Sequence, residues 1–138
     1  MRSRIARLQA GTPAHWGKMN VSQMLAHCVK PMAVSLGDEH ARPAGFFMRL
    51  MGRMVKNMVT SPKPYKQNLP TDPTFVTLHQ EHTFEEARQS LLNMIDRYIA
   101  HQHQVADIPH PFFGKLTQKE WGCSQYKHLD HHLNQFGV

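Results

Sequence analysis

The chain has 138 residues and a formal charge of +6, with 41% hydrophobic and 19% charged residues. That size and balance fit one soluble domain, residues 1–138, with enough core to fold unaided, and the two cysteines are too few for a disulfide scaffold. No apolar run approaches the roughly 20 residues of a membrane helix, and the basic start MRSRIARLQAG lacks the apolar centre of a secretory signal, so a cytoplasmic protein without a membrane partner is expected.

Cys28 and Cys123 fit no Cys-x-x-Cys motif and are expected to be reduced and partly buried. Lys and Arg are scattered rather than gathered in one dense block, so the positive charge reads as a solvated surface and no nucleic-acid partner is expected.

In chain order, the first helix signal is MNVSQMLAHCVKP. Asn20 and Gln23 have capping-box spacing, and Met24, Leu25, Cys28 and Met32 form an apolar stripe. Pro31 removes the backbone hydrogen bond to the carbonyl of His27, so a kink or helix end is expected just past that residue. A second, methionine-rich amphipathic helix is expected from about Ala44 to Val59, followed by an extended, proline-rich connection through TSPKPYKQNLPTDPTF.

The third helix opens with the capping box Thr83 and Glu86 and continues with Phe84, Ala87, Leu91, Met94, Ile95 and Tyr98 at spacings of three and four. Prolines and a glycine in VADIPHPFFGKL end it. A third capping box, Thr117 and Glu120, then starts a final helix that runs from about Gln118 to Gln135. No strand alternation or internal repeat is present, so the fold class is all-α, a helical bundle.

The unusual count is 11 histidines. On the final helix, His128 and His132 are about 40° apart around the axis and one turn apart along it, the geometry of a two-point metal chelate. Trp121, Ser124 and Gln135 share their face, as a pocket wall would, whereas His131 lies about 60° to the other side. A third ligand would complete a set with open positions, and His27, inside a separate amphipathic helix, is the best placed.

The competing reading is that these are hydrogen-bonded core histidines. The sequence contains no His-Glu-x-x-His, no Gly-x-Ser-x-Gly and no phosphate-binding glycine loop, which sets aside zinc proteases of that kind, serine hydrolases and P-loop enzymes.

The stretches WGKMNVSQMLAHCVKP and HPFFGKLTQKEWGCSQYKHLDHHLNQFG together resemble the DinB-like (DinB/YfiT-like) superfamily of metal-dependent enzymes, over about residues 4–138. More narrowly, they resemble an uncharacterised subfamily known only as a domain of unknown function. The resemblance implies a four-helix bundle of up-down-down-up type with an additional amphipathic helix. Its first helix would be short or truncated, because only MRSRIARLQ precedes the loop.

The resemblance also implies a divalent ion, zinc or nickel, on His27, His128 and His132. Gln135 matches a glutamine that follows the last histidine and would support the site or line its pocket. Asp130 and His131 match by position, and His110 and His15 lie in the turns before the last and second helices. The implied activity is thiol transfer or hydrolysis on a small molecule, with a low-molecular-weight thiol as one substrate and a homodimer as the assembly. No catalytic residue is singled out. The rival is a non-catalytic metal-binding or stress-related bundle.

Overall fold

The computed structural model describes residues 1–40, 52, 56, 61, 63–68, 82–105, 108–111 and 113–138. Among these, four helices and no strand are present: α1 (Arg2–Ile5), α2 (Val21–Leu36), α3 (Phe84–His101) and α4 (Gln118–Gln135). The all-α expectation holds. The helix expected at Ala44–Val59 lies outside the described residues, apart from Gly52 and Lys56.

Each of the three longer helices begins at the capping box the sequence marks. Asn20 and Gln23 exchange side-chain to backbone bonds of 2.9 and 3.0 Å, and the Thr83–Glu86 and Thr117–Glu120 pairs do the same. Two otherwise orphaned backbone groups are thereby satisfied at each start. α2 ends on Gly37, whose φ of 82° lets the Gly37 and Asp38 amides fold back onto the carbonyls of Val34 and Ala33.

Of the kink or helix end expected just past His27, the helix end does not occur, because α2 continues through Pro31 to Leu36. Proline inside a helix costs about 3 kcal/mol. The turn that follows offsets this cost, since Met32, Ala33, Val34 and Ser35 are all buried. Two further contacts hold the segment: Gln125 Nε2 donates to the Pro31 carbonyl at 3.0 Å, and Ser35 Oγ donates to the Met32 carbonyl at 2.6 Å.

α2 packs against both α3 and α4, which makes it the shared wall of the bundle. The core joins Met24, Leu25 and Cys28 of α2, Leu91 and Ile95 of α3, and Trp121, Leu129 and Leu133 of α4. Ile5 and Leu8 enter it from the N-terminal segment. Arg97 clamps the end of α2 to α3 through a two-pronged ion pair with Asp38, at 2.5 and 2.6 Å.

Tyr98 is an exception to good polar bookkeeping, for its buried hydroxyl has no hydrogen-bond partner among the described residues, and burial raises its pKa to about 12. An unsatisfied buried hydroxyl costs about 1–3 kcal/mol. Tyr98→Phe is therefore expected to leave stability unchanged or raise it by about 1 kcal/mol in urea unfolding, and a loss of that size would show that the hydroxyl is partnered.

Candidate metal centre

α2 and α4 bring three imidazoles to one point. His27 comes from the middle of α2, with Met24 and Cys28 beside it in the core, while His128 and His132 project from one face of α4. One ring nitrogen from each lies within 4.8 Å of the other two. The ring centroids are 4.9 Å apart for His27 and His128, 4.7 Å for His27 and His132, and 4.7 Å for His128 and His132.

Nε2 of His27 and Nε2 of His128 face each other at 3.0 Å. Two nitrogens on one tetrahedral zinc, each about 2.05 Å from it, stand about 3.3 Å apart, so this pair needs to open by only a few tenths of an ångström. Among the described residues no cysteine or carboxylate joins the set. Cys28 directs its Sγ toward Met24 Sδ at 3.8 Å, and burial raises its pKa, which keeps it a thiol.

Burial also controls the charge of the two α4 rings. The His128 ring is held well below its ordinary pKa, first by desolvation and then by the neighbouring His132 and His27. His132 is pushed down to about 3 by desolvation and His27, against the opposing effect of its hydrogen bond to Gln135. Neutral imidazole is the metal-binding form, so His128 and His132 carry no extra charge to lose, although one Nε2 of the His27–His128 pair donates a hydrogen to the other and must give it up before both can bind an ion.

Gln135, buried at the end of α4, meets His132 directly, with Oε1 2.8 Å from His132 Nδ1. His131, at the edge, packs its ring 5.7 Å from Trp16 and 5.9 Å from Tyr65. Tyr65 hydrogen bonds Ser124, one turn before His128, and lies under the Lys127 ammonium at 4.6 Å. Lys127 also donates to the Ser61 carbonyl at 3.1 Å.

The remaining sequence candidates lie elsewhere. Asp130 accepts from Arg4 Nη1 at 2.5 Å and from Asn134, holding the N-terminal helix against α4. Trp121 is only 1% exposed and donates from Nε1 to the Ile108 carbonyl at 3.3 Å. His110 stacks beside it, 5.1 Å away, in a turn closed by paired backbone bonds with Gly114. Tyr65 and the Trp16 carbonyl, which accepts from Gln135 Nε2, leave little trace in the sequence beyond an aromatic in a proline-rich stretch and the Trp-Gly pair.

Burial holds His110 neutral down to about 4 and His132 down to about 3, whereas both protonate near 6.5 in the unfolded chain. The unfolded chain therefore takes up protons first as pH falls. The stability tied to these groups is complete above about pH 6.5 and is lost between there and about pH 4 and 3 respectively. Metal-free protein is expected to lose about 1.4 kcal/mol per pH unit per imidazole in that window, and His110→Phe to flatten the slope by one imidazole's share. Equal slopes in urea unfolding at several pH values would contradict this.

Among the described residues, no helix is long and apolar enough to cross a membrane. No curated protein and no solved structure matches the chain. Residues 1–137 match the model of a family described as "Protein of unknown function (DUF1569)", and the chain belongs to that family.

Proposed function

We propose that the protein is a DinB-like metal-dependent enzyme in which His27, His128 and His132 hold one divalent ion, zinc or nickel, against a small-molecule substrate. The observation that carries this reading is the meeting of three imidazoles from two helices, with ring nitrogens within 4.8 Å and no fourth protein ligand among the described residues. Three protein ligands leave a position open, the mark of a catalytic rather than a closed structural site. The all-α fold and the His-x-x-x-His pair on the last helix support the DinB-like assignment.

When bound, such an ion supplies Lewis acidity toward a substrate oxygen or lowers the pKa of a thiol or water. The chain's own residues prepare for it. Burial keeps His128 and His132 unprotonated, α2 and α4 fix the separation of the three rings, and the rings of Trp16, His131 and Tyr65 form an aromatic wall beside them. A low-molecular-weight thiol is the substrate class we favour, with thiol transfer or hydrolysis as the reaction, in a single-domain cytoplasmic protein acting as a homodimer.

The test is metal content by mass spectrometry on untagged protein purified without chelating resin, beside the double variant His128→Ala, His132→Ala. About one ion per chain, absent from the variant, is expected. A wild-type protein that holds no ion after reconstitution with zinc or nickel would return the cluster to a set of packed core histidines.

A further inference from the structure

The side chain of Gln135 joins two distant parts of the molecule. Its Nε2 donates to the Trp16 carbonyl at 2.6 Å, while its Oε1 stands 2.8 Å from His132 Nδ1. A backbone carbonyl only accepts, so the amide must present its nitrogen to Trp16 and its oxygen to His132. An amide oxygen also only accepts, so His132 must carry its hydrogen on Nδ1. The lone pair is left on Nε2, the nitrogen free to face the cluster.

The anchor is built for this contact. Gly17 has φ of 82°, and a Cβ placed there would stand 2.5 Å from Gln135 Nε2. The same segment is tied again by the His15 amide, which donates to the Gln135 carbonyl at 2.8 Å.

We propose that Gln135 is a positioning residue, locked by the Trp16–Gly17 turn, that fixes the tautomer of His132 and so presents Nε2 to a metal ion. Its consequence for affinity rests on the metal reading above, whereas its effect on the tautomer does not. A ligand whose second nitrogen is held by a hydrogen bond is oriented in advance, and losing such a partner typically weakens metal binding by 10 to 100-fold. The loop that carries Trp16 thereby becomes part of the site without touching the ion.

Two readouts test this on the full chain: the His132 tautomer by ¹⁵N NMR of metal-free protein, and zinc affinity by competition with a chromophoric chelator. Wild type is expected to show one His132 tautomer, protonated at Nδ1. Gln135→Leu is expected to mix the tautomers and weaken zinc binding by about 10 to 100-fold. Gly17→Ala, which leaves the glutamine in place but crowds its amide, is expected to move both readouts the same way, and it answers the question if the leucine variant does not fold.

Zinc binding by wild type with neither readout moved in the folded variants would overturn the relay. Tautomer mixing in a protein that binds no zinc would support the relay while removing the metal reading.

Discussion

Zinc added to the metal-free protein is expected to raise its unfolding midpoint, and the rise is expected to disappear in His128→Ala. A ligand that binds only the folded chain stabilises it by about 4 kcal/mol when free at a thousand times its dissociation constant. For a chain of this size, that amounts to roughly 10 °C or more. The effect requires both helices, because His27 and His128 are 101 residues apart and meet only in the folded bundle, Nε2 to Nε2 at 3.0 Å. Differential scanning fluorimetry with and without zinc decides the matter. An unmoved wild-type midpoint, or an equal rise in the variant, would sink the reading.

Trp121→Ala is expected to cost about 4 kcal/mol, the largest loss from any single core truncation here. The indole is 1% exposed, donates to the Ile108 carbonyl at 3.3 Å and supports the His110 ring 5.1 Å away. Removing it leaves a large cavity under the first turn of α4 and takes the indole donor from the Ile108 carbonyl. Trp121→Phe should retain much of the packing and cost about half as much. Urea midpoints measure both, and a loss below about 1 kcal/mol for the alanine variant would mean that the first turn of α4 carries little of the core.

What was legible in the sequence was local. Asn20–Gln23, Thr83–Glu86 and Thr117–Glu120 mark their helix starts because a capping box is satisfied within one turn. His128 and His132 share a face for the same reason, since four residues span about one helical turn. His27 was reachable as well, because its place among the buried residues of α2 follows from the apolar stripe.

What was not legible depends on long-range partners. Gln135 reaches Trp16 across 119 positions and Arg4 reaches Asp130 across 126, and no spacing rule encodes either. Asp130 matches the resemblance by position alone, and its carboxylate, about 200° around the helix from His128, pairs with Arg4. Pro31 does not end α2, because tertiary burial of the following turn outweighs a local breaker.

The most direct test of the three-histidine centre is X-ray absorption spectroscopy at the zinc edge of the loaded, untagged protein, which counts ligands and names their elements. Three imidazole nitrogens at about 2.0–2.1 Å, at least one further light oxygen or nitrogen scatterer, and no sulfur are expected. Loss of one imidazole in His27→Ala would assign the ligand on α2. A sulfur shell at about 2.3 Å, or fewer than three imidazoles, would contradict the three-histidine centre.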